Sequence, residues 1–358
     1  MGKSNNVKFA AGLGAAAVLA GCKVTSQERP AVTAGGPDIE QCFGWQNLDP
    51  CATRYQNILA AVRGDDDRID LRCLDDRGNP VRDGLKVLET SAAVAAMFYE
   101  EDVKDLGGGR YQAEPSIPVL ARMGREAMCE DEPFASQPRG AWCGAVLVDR
   151  PSAETGDHWV MLAAEHCTTR YLDNDKNLRD MQFFFDNVMP QTGEVVEMKA
   201  SERCVPAPGR PKIPVGPFLA LIEVDCPAGF RRAPAVIADT DAAPTTGEVY
   251  AIGFPMRVPA KFSGWAAIHA KAPGPQAFYA DLDIFPSNSS SPVFAVDHHL
   301  VGVVESDQST ATCTDPRRKC RHWSSVPQGH GERVTVTSTH DVPEALRLRR
   351  SNNQGTKP

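Results

Sequence analysis

From residue 140 onward the apolar residues of this 358-residue chain come only in short runs, each closed by Gly, Pro or Asp. That length limit constrains the fold more than any other feature. The runs are 145–148, 159–163, 181–185, 194–198, 218–224, 249–252, 277–282, 293–296, 300–304 and 333–336. A buried strand needs about five residues, whereas an amphipathic helix needs ten or more with apolar residues at i, i+3 and i+4. Many short strands with turn signals between them predict an all-β sandwich or barrel. Before residue 140 the pattern is mixed. Helical spacing occurs over 51–63 (CATRYQNILAAVR) and 117–128, so the expected architecture is all-β with an N-terminal extension containing some helix.

The first residues look like a targeting segment rather than part of the fold. Lys3 and Lys8 precede the Ala/Gly/Leu-rich stretch 9–21, which is short for a membrane span. It ends in Leu19-Ala20-Gly21-Cys22, similar to the lipobox of bacterial lipoproteins, in which the cysteine becomes the lipidated N-terminus. The other reading is an ordinary signal peptide with a chance cysteine. Lys23 follows where an Asp is absent, which favours the outer membrane of a Gram-negative cell. Residues 1–22 are thus expected as signal, 23–40 as a polar Pro/Gly-rich tether and 41–140 as an extension leading into the first barrel. Residues 141–340 form the expected main domain, and 341–358 a C-terminal tail.

Export makes the cysteines informative. Of 11, Cys22 is assigned to lipid, which leaves the even set 42, 51, 73, 129, 143, 167, 204, 226, 313 and 320. An even count in an exported chain indicates a disulfide framework. No CxxC or HExxH spacing occurs, so neither a metal nor a cofactor is expected. A net charge of -8 without basic runs argues against nucleic acid. The expected partners are a peptide or protein and, through Cys22, a membrane; the expected state is a monomer.

Two segments carry chemistry. Trp142 to Cys167 ends an apolar strand in a histidine, His166, and Asn288-Ser289-Ser290-Ser291-Pro292-Val293-Phe294 puts serines in a tight turn before another strand. Together they have the residue types of a nucleophile and its base.

Six elements in order resemble the secreted bacterial trypsin-like serine peptidases, in the branch whose serine motif is GNSGSPVF, shared with the glutamyl endopeptidases. Residues 63–68 (RGDDDR) are similar to its "yGdDdR", and 128–138 (MCEDEPFASQP) to "LCeDErFxdQp". Trp142-Cys143-Gly144 and 163–167 (AAEHC) stand at "fCSGfLV" and "TAGHC". Residues 252–261 (IGFPMRVPAK) are similar to "iGhPxGLPlK", and 281–285 (DLDIF) to "DLDtF" ahead of the serine motif. The resemblance covers most of the chain from about residue 60 and implies a chymotrypsin-like double β-barrel with the site between the barrels.

It also implies roles. His166 is the general base, and Ser289 the nucleophile by register, although Ser287, Ser290 and Ser291 are local alternatives. The backbone N–H groups of Ser287 and Ser289 form the oxyanion hole. Cys143–Cys167 would pin the histidine strand; Cys204–Cys226 and Cys313–Cys320 are pairings by proximity. Asp283 is either the acid of the substrate pocket, favouring Lys or Arg at P1, or a structural residue. Glu305 either lines that pocket or faces solvent. His298 and His299 are expected as solvated loop residues.

The chain departs from the pattern at the supports. Serine replaces glycine at 287 and 290, Glu165 replaces a small residue, and Phe218 stands before Leu219-Ala220-Leu221-Ile222, where the family places its catalytic Asp. Asp225, Glu223, Asp173, Asp175, Asp180 and Asp186 are nearby carboxylates, each more simply a surface or turn residue. Two functions follow: a serine endopeptidase anchored at the cell envelope, or a catalytically impaired relative that binds peptide.

Overall fold

The computed structural model describes residues 68–75, 81–113, 134, 137–152, 158–168, 178–189, 196–210, 212–269, 276–306, 312–315, 319–323 and 334–355. The strands in chain order are β1 (Ile69–Asp70), β2 (Val94–Tyr99), β3 (Val103–Gly107), β4 (Arg110–Ala113), β5 (Cys143–Asp149), β6 (Trp159–Ala164) and β7 (Met181–Phe184). They continue as β8 (Glu197–Lys199), β9 (Arg203–Pro206), β10 (Ile213–Val215), β11 (Leu219–Asp225), β12 (Glu248–Gly253), β13 (Lys261–Phe262) and β14 (Ala266–His269). The last are β15 (Ala277–Ala280), β16 (Pro292–Ala295), β17 (Leu300–Ser306), β18 (Thr312–Asp315), β19 (Cys320–Trp323) and β20 (Val334–Ser338). Two α-helices, α1 (Gly84–Ser91) and α2 (Val342–Gly355), and several short 3-10 turns are also described.

Two sheets close on themselves. The first barrel runs β11-β6-β5-β2-β7-β9 and returns to β11; the second runs β12-β14-β15-β20-β17-β16 and returns to β12. All of these pairings are antiparallel, and in both barrels the order by sequence is first, second, third, sixth, fifth, fourth. This repeated order is the chymotrypsin-like double β-barrel. Closure gives every barrel strand a neighbour on both sides, which removes the free edge that is the usual liability of a sheet. Because neighbouring layers cover the outer faces as well, β2 and β5 are buried at every position and read as continuous apolar runs instead of alternating ones.

The ten expected strands are all present, with shifts at their ends. Two expectations about boundaries change. The first barrel begins at β2, well before residue 141, because VAAMFY pairs with both β5 and β7 despite its Ala-rich, helix-favouring composition. The C-terminal segment is the helix α2 rather than a tail, and it buries Val342, Leu346 and Arg349 against the barrels. The expected helices at 51–63 and 117–128 lie outside the described residues.

The elements that carry the family likeness converge. Asp70 Oδ1 meets Lys261 Nζ at 2.7 Å, and Gln137 Nε2 donates to Asp70 Oδ2 at 3.1 Å. The Arg68 guanidinium lies 3.6 Å from the Phe285 ring centroid. These groups are widely separated in sequence, and together they fasten the segment before the first barrel to the second one. Among the described residues no helix is long and apolar enough to cross a membrane.

Candidate active site

His166 lies in the short 3-10 turn Glu165–Thr168 that follows β6. Three constraints place it. Glu165 N donates to Phe218 O at 2.7 Å, continuing the β6–β11 ladder. Lys212 Nζ bonds the Glu165 carboxylate and, at 2.9 Å, Thr168 Oγ1. Cys167 is disulfide-bonded to Cys143 on β5 (S–S 2.03 Å). Cys143, His166 and Cys167 bring metal-type donors within 4.8 Å of one another. The two sulfurs are consumed in the bridge, so they offer no thiolates.

Ser289 sits in the turn that leads into β16. Ser287 (φ 75°) and Ser290 (φ 65°) adopt the left-handed conformation that glycine favours. Thus the two positions where the resembled motif has glycine keep a glycine-like backbone although serine occupies them. Ser290 is fully buried, and its Oγ accepts from Ala164 N at 2.8 Å, two residues before His166. Gly144 N donates to Ser289 O at 2.9 Å, next to the Cys143 bridge. A Cβ on Gly144 would stand 3.1 Å from Ser291 Cα, and one on Gly253 would stand 2.1 Å from Ser291 Oγ. Both glycines are needed for the turn to approach this closely. Among the described residues, neither Ser287 N nor Ser289 N has an acceptor, so the amides of the expected oxyanion hole are open. The Ser289 hydroxyl and the imidazole make no hydrogen bond to each other in this structure.

Glu305 is where sequence reasoning missed. Its Oε1 lies 3.3 Å from His166 Nδ1, a contact that neither expectation for it included. Its other oxygen, Oε2, accepts from Thr337 Oγ1 at 3.3 Å. Phe218, at the family's acid position, is 42% exposed and contributes only its backbone carbonyl to the histidine turn. Three of the other candidate carboxylates, Asp225, Glu223 and Asp186, are engaged elsewhere. Asp225 meets His158 Nδ1 at 2.6 Å, and Glu223 is held by Arg349 Nε at 2.6 Å. Asp186 Oδ2 accepts from Lys199 N at 2.9 Å; Asp173 and Asp175 lie outside the described residues. Asp283 is half-buried with contacts of its own, between the core residues Leu282 and Ile284.

The remaining expectations are mixed. Cys204 is bonded to Cys226, and Cys73 and Cys320 are each in a disulfide. His298 is not a solvated loop residue: Nδ1 lies 2.9 Å from Tyr250 Oη, and its ring packs on Tyr250 and Trp265. A cavity of about 280 Å³ lined by Leu88, Val94, Phe184, Asp186, Arg232 and Phe254 flanks the first barrel. It includes none of Ser289, His166 or Glu305, so it is separate from the candidate site.

No protein-family model matches the chain, and no curated protein matches it in sequence. Among solved structures it is similar to Rv3671c of M. tuberculosis H37Rv, crystallised in an inactive form as a serine-to-alanine mutant. Identity is 10% and the TM-score 0.37, over 76% of this chain and 91% of that chain. The fold therefore stands on the chain's own barrel closure and strand order.

Proposed function

We propose that the protein is a serine endopeptidase held at the cell envelope through a lipid on Cys22. The observation that carries this reading is the serine turn: it keeps left-handed φ at 287 and 290 and leaves the Ser287 and Ser289 amides open. In the proposed reaction His166 Nε2 takes the Ser289 hydroxyl proton as Oγ attacks a peptide carbonyl. The carbonyl oxygen becomes an oxyanion facing the two amides. Collapse breaks the C–N bond, and imidazolium passes its proton to the leaving amine. Water, deprotonated by the same imidazole, then releases the acyl group from Ser289. Asp283 keeps both of its readings, the base of a substrate pocket that favours Lys or Arg at P1 or a structural residue ahead of the serine turn. Outer-membrane location follows from Lys23 after the lipobox-like cysteine.

One observation favours the second reading, a peptide-binding relative without turnover. Phe218 occupies the acid position, and a phenyl ring cannot accept the Nδ1 hydrogen bond. Fluorophosphonate labelling of the full-length protein separates the two. The expected result is covalent labelling abolished by Ser289→Ala and reduced at least about 10³-fold by His166→Ala. Absence of labelling on folded wild-type protein with its disulfides formed would overturn the peptidase. Incorporation of labelled fatty acid that Cys22→Ser abolishes tests the anchor.

A further inference from the structure

We infer that Glu305 is the positioning residue for the catalytic imidazole, so that the acid of this site comes from the second barrel instead of the first. The inference deepens the peptidase reading and rests on it for the catalytic role, though not for the contact itself. Three features argue for it. The first is the distance of 3.3 Å between His166 Nδ1 and Glu305 Oε1, with both side chains largely buried. Among the described residues, Glu305 is the carboxylate within ion-pair range of this ring. At 3.3 Å the contact is longer than a charge-assisted hydrogen bond of about 2.7–2.9 Å. In this structure it is an ion-pair contact without hydrogen-bond geometry, and catalytic hydrogen bonds are commonly poorly aligned until substrate is bound.

The second feature is local. Along β17 the register with β20 shifts between Val304, opposite Val336, and Ser306, opposite Thr335. Glu305 is therefore the extra residue of a β-bulge, a device that re-aims one side chain out of the regular alternation. The third feature is the coupling of Glu305 to the nucleophile. Its neighbour Val304 accepts from Ser290 N at 2.7 Å and donates to Ser291 O at 2.9 Å. β17 also packs against β6, which leads to His166. The bulge thus holds the carboxylate in register with the serine turn and aims it at the histidine.

The chemical consequence is definite. A carboxylate at Nδ1 fixes the tautomer with the proton on Nδ1 and leaves the Nε2 lone pair for the Ser289 proton. During attack it also stabilises the imidazolium. Glu305 does not itself take up the proton.

The test uses full-length wild-type, Ser289→Ala, Glu305→Ala and Glu305→Gln proteins, each checked for a cooperative unfolding transition. The first readout is the low-field NMR resonance of the His166 Nδ1 proton, which is independent of turnover. It is expected in wild type and Ser289→Ala, and lost in Glu305→Ala. The second readout is the fluorophosphonate labelling rate. It is expected to fall at least about 100-fold in Glu305→Gln, set against about 10⁴-fold for amide replacement of a triad acid. The double variant Glu305→Gln/Phe218→Asp is expected to recover at least part of that rate. An Nδ1 resonance that survives Glu305→Ala, or labelling unchanged in Glu305→Gln, overturns the inference. A resonance that depends on Glu305 in a protein that does not label upholds the positioning role and overturns the peptidase.

Discussion

Ser290 carries two opposing effects in one side chain. Its φ of 65° is a conformation that costs an ordinary L-residue about 1–2 kcal/mol. Its Oγ offsets part of this by accepting from the buried Ala164 N–H at 2.8 Å. Ser290→Ala keeps the strain and leaves that N–H without a partner, so it is expected to destabilise the protein by about 1–3 kcal/mol. Ser290→Gly loses the same hydrogen bond but relieves the strain, and its loss is expected to be the smaller. Urea unfolding of the two variants checks the order; equal losses would show that the backbone is not strained there. Arg257 is a related case at φ 70°, where the resembled motif has glycine. It is buried and bonds Asp102 at 2.7 Å and Gly140 O at 2.7 Å. Both replacements were visible in the sequence, but the compensating bonds were not, because each partner lies more than a hundred residues away in the chain.

At the scale of elements, α2 is the piece whose role the sequence understated. Val342, Ala345, Leu346 and Arg349 fall at helical spacing, a signal overlooked because the segment ends a polar chain terminus. The structure buries Arg349 and sets its Nε 2.6 Å from Glu223 Oε1 on β11, with Nη1 3.6 Å from Asp149 Oδ2 on β5. The helix thereby locks two strands of the first barrel. Arg349→Met removes the buried cation and leaves Glu223 and Asp149 only the more exposed arginines, Arg210 at 3.4 Å and Arg350 at 3.3 Å. Breaking a buried pair from one side is expected to cost about 3 kcal/mol. The denaturation midpoint measures this. A loss below about 1 kcal/mol would mean that Arg210 and Arg350 suffice.

For the molecule as a whole, Asp186 links stability to pH. Burial beside the cavity pushes its carboxyl up from 3.8 to about 6, nearby Glu202 adds to the shift, and Oδ1 is buried without a hydrogen-bond partner. Because the folded value is raised, the native state holds a proton that the unfolded chain has already released between 3.8 and about 6. Stability from this group is therefore full at the acid end of that window and is lost as pH rises through it. Asp186→Asn is expected to be more stable than wild type at neutral pH, with the difference shrinking towards pH 4, about where the unfolded chain titrates. Unfolding midpoints across this range check the slope. A difference independent of pH would assign the effect to packing.

Much of this architecture was local information. Strand segments and turn residues are properties of a few consecutive residues, and a sequence carries such properties directly; the Cys143–Cys167 pairing and the choice of Ser289 among its neighbours came through the family likeness. The repeated barrel order was legible only through the family likeness, since pairing between distant strands leaves no local mark. The partner of the imidazole was not legible at all. Phe218 removes the carboxylate from its customary place, and Glu305 in the sequence is one acid at the end of an apolar strand. Only a bulge in β17 and the packing of β17 on β6 turn that side chain towards His166. The sequence by itself determined which residues could carry the chemistry. Tertiary structure decided which of them meet, because the contact depends on a one-residue register shift and on two barrels packing across their interface.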